Sequence, residues 1–156
     1  MTDPRDADDI EAIKRLKADY FRLLDSKQWP ALGRLFTEDA ILDSRDDSPN
    51  ALAQGREAIV TMVATALEEA VTSHKGHSPA IELDGSDAAS GTWTMEDRLV
   101  FGSDPPSLIV EGRGHYHETY LRGADGRWRI QELRLRRSRL VHNGKVLIER
   151  APPGSN

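Results

Sequence analysis

The fold turns on the stretch 56-REAIVTMVATALEEAVTSHKGHSPAIEL-83. Its first part repeats apolar residues at Ile59, Met62, Val63, Ala66 and Leu67, the spacing of one helix face. Its last part ends in a short apolar segment, and everything after it alternates with period two. The periodicity predicts a helix over 56–72 and strands over 78–84, 87–102, 107–122 and 127–140. A last strand over 141–150 is also expected. The turn 123-GADG-126 joins two of the strands as a hairpin.

Upstream, the pattern is helical. In 9-DIEAIKRLKADYFRLLDSKQW-29, Ile10, Ile13, Leu16, Tyr20, Leu23 and Leu24 form one stripe, with Asp9 placed to cap the helix start. After a break at 26–28, 29-WPALGRLF-36 predicts a second short helix with Pro30 in its first turn. A turn and short strand over 37–47 and a loop over 48–55 follow. Helices first and strands after make an α+β domain. The expectation is a curved mixed or antiparallel sheet wrapped as a cone-shaped barrel around the N-terminal helices, with a central pocket. One domain over 8–150 is expected, with loose ends at 1–7 and 151–156.

The 156 residues suffice for one core, and 38% hydrophobic with 30% charged residues is ordinary soluble composition. A net charge of −5 argues against a nucleic-acid partner. No apolar run approaches the ~18 residues of a membrane span. The polar start MTDPRDADDIEAIK does not read as a secretion signal, and with no cysteine the chain has neither disulfide nor thiol nucleophile. A cytoplasmic protein is expected.

Strand parity then locates polar side chains on the apolar face. In 91-GTWTMEDRLVF-101, Trp93, Met95, Asp97, Leu99 and Phe101 share one face. An inward Asp97 needs a partner, because a lone buried carboxylate costs several kcal/mol. The alternative is a bulge that turns it outward. In 129-RIQELRLRRSR-139, Leu133 and Leu135 mark the odd face as inward, so Arg137 follows them. It would pair with Asp97 or hold an anionic substrate group; otherwise both are rim residues on solvated strand ends. His74 and His77 lie just ahead of the strand expected at 78–84. His115 and His117 share a face with each other, as candidates for a four-histidine metal site or as outer-face residues. Spacing alone reads Asp25 as a loop carboxylate capping the next helix.

The segments YFRLLDSKQWPALGRLFTEDA, TSHKGHSPAIEL and GRGHYHETYLRGADGRWRIQELRLRR resemble the SnoaL-like branch of the nuclear-transport-factor-2-like superfamily. The resemblance covers about residues 8–140. Within that superfamily the chain is most similar to the dehydratase group, which includes scytalone dehydratase, bile-acid 7α-dehydratase and hexachlorocyclohexane dehydrochlorinase. The resemblance implies a catalytic Asp25 beside His74, with Tyr20, Asp97 and Arg137 lining the same site. His77 stays open as a second candidate for the base. Where scytalone dehydratase has a second active-site histidine this chain is apolar, near Leu99, and Leu24 replaces a tyrosine, so a scytalone-like substrate is not implied. Trp29, Met62, His77, Trp93, Met95, Leu99 and Tyr116 are the candidate substrate-contacting residues.

The implied function is a cofactor-independent, metal-free lyase or isomerase acting on a hydrophobic cyclic or steroid-like molecule. The alternatives are a ligand-binding or structural module, like the small subunit of ring-hydroxylating dioxygenases, and a histidine-based metalloenzyme. The resemblance also implies a homo-oligomer, dimer or trimer, and no nucleic-acid or membrane partner.

Overall fold

The structure is a computed structural model that describes residues 3–151. Its elements run α1 (Pro4–Asp25), α2 (Trp29–Gly33), β1 (Phe36–Asp43), β2 (Leu52–Gln54), α3 (Arg56–Leu67), β3 (Ala70–Asp84), β4 (Ala88–Phe101), β5 (Leu108–Arg122), β6 (Trp128–His142) and β7 (Lys145–Glu149). One mixed seven-stranded sheet has the order β2-β1-β6-β5-β4-β3, with β7 also on β6. All pairings are antiparallel except β1 on β6, which is parallel. The α+β cone is therefore present as a curved sheet that stays open rather than a closed barrel. No helix among the described residues is long and apolar enough to cross a membrane.

The helix α1 starts earlier than expected. Asp3 caps it by accepting from the Arg5 N–H, and Pro4 supplies a preset first turn. Residues 4–7 are thus helical, not loose, and Asp9 sits inside the helix, paired with Arg122. Residues 1–2 and 152–156, parts of the two expected loose ends, lie outside the described residues. The loop expected over 48–55 contains the short strand β2, paired with β1.

The helix α3 ends five residues before the expected position, and β3 takes over at Ala70. Period-two alternation explains this. Ala70, Thr72, His74 and Gly76 turn inward, while Val71, Ser73 and Lys75 turn out. The ammonium of Lys27, from the turn after α1, donates to the carbonyls of Leu67, Glu68 and Ala70, capping α3 where its carbonyls run out. The same contact fixes the start of β3 beside the end of α1. Both histidines therefore lie within β3, not ahead of it.

On β6 the parity expectation holds only for the middle. Leu133, Leu135 and Arg137 face inward, but Trp128, Ile130 and Leu140 are buried as well. Register shifts against β5 leave Gln131 and Ser138 as extra residues, and each bulge flips the faces. Arg129, Gln131 and Arg139 consequently do not join the inner face.

The inward stripe of α1 is Ile13, Leu16, Lys17, Tyr20, Leu23 and Leu24. Lys17 is fully buried and pairs with the equally buried Glu118 of β5, 2.7 Å away. Glu118 also accepts from the Tyr120 hydroxyl at 2.6 Å, and Trp93 donates to that hydroxyl at 3.1 Å. The Lys17 ammonium lies 3.9 Å and 3.8 Å from the ring centres of Tyr20 and Tyr116. Burial lowers its pKa against the opposing pull of Glu118. A buried pair is stable as a pair and costly when halved. Glu118→Leu is therefore expected to lower unfolding stability by about 3–5 kcal/mol in denaturant titrations. Lys17→Met combined with Glu118→Leu should recover more than half of that loss, and near-native stability of Glu118→Leu alone would show that the pair does not hold α1 on the sheet.

Candidate active site

Between α1, α3, the loop 44–51 and the inner face of the sheet lies a cavity of about 180 Å³. Its apolar wall includes Leu24, Leu42, Met62, Val63, Leu99 and Leu133, and its polar groups are Tyr20, Asp47, His74, Asp97, Tyr116 and Arg137, with Ser44 and Ser48 at the loop. A larger, more open depression of about 760 Å³ lies on the opposite face of the sheet, among Lys75, Glu96, Arg98, Glu111 and Arg113. The smaller cavity is the better candidate site, because it is apolar, walled by helices and met by convergent polar groups.

Asp25 stands at the last residue of α1 and reaches across to β3. Its Oδ1 accepts from Thr72 Oγ1 at 2.8 Å and lies 2.7 Å from His74 Nδ1, while its Oδ2 accepts from the His74 backbone N–H at 2.9 Å. Burial pushes the Asp25 carboxyl up, but the His74 and Thr72 bonds outweigh it and hold the group below its ordinary range. An ionised carboxylate only accepts, so the proton between them belongs to Nδ1. That assignment leaves the Nε2 lone pair of His74 free, 3.9 Å from Asp97 Oδ2. The imidazole side chain is 7% exposed.

Opposite, Asp97 and Arg137 face each other on the inner surface. Arg137 Nη1 donates to Asp97 Oδ1 at 2.7 Å, and Nη2 to Oδ2 at 2.8 Å. The other edge of the guanidinium holds Asp47, with Nε to Oδ1 at 2.7 Å and Nη2 to Oδ2 at 3.2 Å. Burial works against the Arg137 charge, yet the bonds to Asp97 and Asp47 keep it more firmly protonated than a free arginine. Gly112 is the space for this pair: a methyl there would meet Arg137 Nη1 at 2.3 Å and Asp97 Oδ1 at 2.6 Å.

Tyr20 and Tyr116 face the cavity. Among the described residues neither hydroxyl has a hydrogen-bond partner, and neither is an orphan sealed from solvent. Burial holds both phenols well above their ordinary pKa, so both are neutral donors.

The structure thus brings Tyr20, His74, Asp97 and Arg137 to one cavity, with Asp25 behind His74. Met62, Leu99 and Tyr116 line it too. The other four candidates are placed elsewhere. His77 is exposed on the outer face, because the inner parity of β3 is even, and its Nδ1 lies 2.8 Å from Ser78 Oγ. Trp29 packs at α2 and donates to Glu68. Trp93 belongs to the core network of Tyr120, and Met95 lies below Arg137, its sulfur 3.6 Å from Nη1. His115 and His117 occupy the outer face, pairing across strands with Thr94 and Thr92, so the four histidines do not gather around one point. Sequence reasoning missed Thr72, Lys17, Glu118 and Asp47. Lys17 stands on the apolar stripe of α1, and Glu118 shares the inward parity of Gly112, Gly114 and Tyr116. Asp47 is in a loop and carries no periodic signal.

Because the folded Asp25 value lies below that of an unfolded carboxylate, its stabilisation is complete above about pH 4 and drains away as pH falls through the folded value. Asp25→Asn should lower stability at neutral pH and show a shallower acid loss between about pH 4 and pH 2. Denaturant unfolding across that range checks this; parallel profiles for both proteins would contradict it.

Three solved structures share this architecture. That of a hexachlorocyclohexane dehydrochlorinase (LinA, type 2) has a TM-score of 0.79 at 20% identity, covering 99% of this chain and 100% of that one. A scytalone dehydratase candidate from Novosphingobium aromaticivorans gives 0.76 at 22% identity and 97% coverage of both chains. Rv3472 from Mycobacterium tuberculosis, of unknown function, gives 0.69 at 26% identity, covering 85% of this chain and 78% of that one. At the two lower identities the likeness is one of fold. A family model described as the SnoaL-like domain matches residues 5–134, most of the length, and the chain belongs to that family.

Proposed function

We propose that the protein is a cofactor-independent lyase that removes water from a small, neutral, hydroxylated cyclic substrate. The observation that carries this reading is the Asp25–His74 contact of 2.7 Å, which leaves the Nε2 lone pair of His74 facing the cavity. The names of similar structures, a dehydrochlorinase and a dehydratase candidate, point to elimination chemistry on the same scaffold.

The chemistry follows from the side chains. His74 Nε2 takes a proton from the carbon next to a carbonyl. The imidazolium then lies between the carboxylates of Asp25 and Asp97, which favour it as the substrate's electron pair moves toward the carbonyl oxygen. A tyrosine hydroxyl, of Tyr20 or Tyr116, donates to that oxygen as it gains charge. The electron pair returns to form the carbon–carbon double bond, the carbon–oxygen bond breaks, and the proton on Nε2 goes to the departing hydroxide. Water leaves and His74 is neutral again, so protons balance within one turnover. Asp25 keeps the ring in the productive tautomer, the role of the third member in a catalytic triad.

Size narrows the substrate. An engineered cavity of about 150 Å³ takes one benzene. The present cavity of about 180 Å³ therefore has room for one substituted ring.

The test is incubation with a panel of β-hydroxy cyclic ketones in heavy water, read by mass spectrometry. Loss of one water is the expected result. Deuterium uptake at the α-carbon without water loss would identify an isomerase instead, and binding without either would leave a ligand-binding module. His74→Ala should lower turnover by about 10²–10⁴-fold while keeping the fold, and unchanged turnover would remove the base from the account.

A further inference from the structure

We propose that Asp47 is a specificity residue that closes the cavity to anionic ligands. Among the described residues Arg137 is the one lysine or arginine lining the cavity, and it is 2% exposed. An inward guanidinium in an apolar pocket is ordinarily a carboxylate receptor, since its planar edges match two oxygens at a time. Here both edges are already taken by the protein's own carboxylates. Asp97 fills the end-on fork and Asp47 the side-on fork.

The two carboxylates are not equivalent. Asp97 is a strand residue sealed against Gly112, part of the cavity's permanent wall. Asp47 arrives from the loop 44–51, and its side chain is 35% exposed at the mouth. It occupies the edge of Arg137 that an incoming acid would use. Among the described residues the charged side chains lining the cavity are Asp47 and Asp97 against Arg137, and Asp25 adds a further negative charge behind His74. A carboxylate ligand therefore meets a net negative site with no free fork, whereas a neutral ring carries no such penalty. The substrate class becomes neutral carbonyl or hydroxyl compounds, with acids of the same shape excluded.

The loop does not depend on Asp47 for its place. Asp46 accepts from the Arg137 backbone N–H at 2.8 Å and from Arg150 Nη1 at 2.7 Å, and the Ser44 N–H donates to the Ala51 carbonyl at 2.8 Å. Removing the Asp47 carboxyl thus opens the fork and leaves the loop tied. The proposal rests on this cavity being the ligand site, as in the proposed function, but not on His74 acting as a base.

The experiment uses the full chain with labelled methionine methyls. Met62 lines the cavity and reports occupancy. Benzoate and benzamide, alike in shape and different in charge, are titrated at about pH 8, where a carboxylic acid is fully ionised. In the wild type, benzamide should shift the Met62 methyl and benzoate should bind at least about tenfold more weakly. In Asp47→Ala, benzoate should gain about tenfold or more, and benzamide should change little. Asp47→Asn, which keeps the shape and removes the charge, should change the ratio in the same direction. Equal binding of both probes to the wild type would show that Asp47 is displaced and the cavity is an acid site. An unchanged ratio in the variants, or no binding of either probe to any protein, also overturns the proposal. A failed His74→Ala test would remove the elimination reading and leave this result standing.

Discussion

The carboxylate of Asp25 ties the first helix to the first long strand and sets which nitrogen of His74 faces the cavity. Its three partners, Thr72 Oγ1, the His74 backbone N–H and His74 Nδ1, all lie on β3. The contact exists because two elements end and begin at the same place. Lys27 caps α3 there, so β3 starts beside the last turn of α1. Folding and chemistry thus share one set of bonds, and loss of the carboxylate would affect both.

The inner face of the sheet carries more charge than its apolar shape suggests. Lys17 and Glu118 pair behind the aromatic floor, while Asp97, Arg137 and Asp47 pair along the wall. Each ion is expensive to bury alone and tolerable with its partner. The pairs impose a geometry, since each needs a fixed distance between a helix, a strand or a loop and its neighbour. Gly112 shows the consequence on the backbone, being without a side chain where Arg137 and Asp97 meet. The hydroxyls of Tyr20 and Tyr116, in contrast, have no protein partner among the described residues and face the cavity, where a ligand oxygen would meet them.

Much of this is legible in the residues. The change from helical to alternating period marks where helices give way to sheet, although α3 ends early because Val71 and Thr72 already alternate. Alternation along β4 and the middle of β6 is enough to turn Asp97 and Arg137 inward, where the structure has them. It fails at the ends of β6, where bulges at Gln131 and Ser138 flip the faces, and a bulge leaves no mark on a count of alternate residues. Asp25 and His74 come together only through resemblance, since spacing alone makes Asp25 a loop carboxylate. Lys17 stands on the helix stripe, but lysine is so seldom fully buried that its inward place depends on knowing Glu118 lies opposite. Asp47 is invisible in the sequence, because its position follows from the path of a loop and from no periodicity.

The most direct measurement is the tautomer of neutral His74, read from long-range proton–nitrogen spectra of the imidazole ring at alkaline pH. With Asp25 ionised and accepting, the spectrum should show the Nδ1–H form, with Nε2 unprotonated and facing the cavity. An Nε2–H form would mean that the lone pair points at Asp25, that no base faces the substrate, and that the elimination account is wrong.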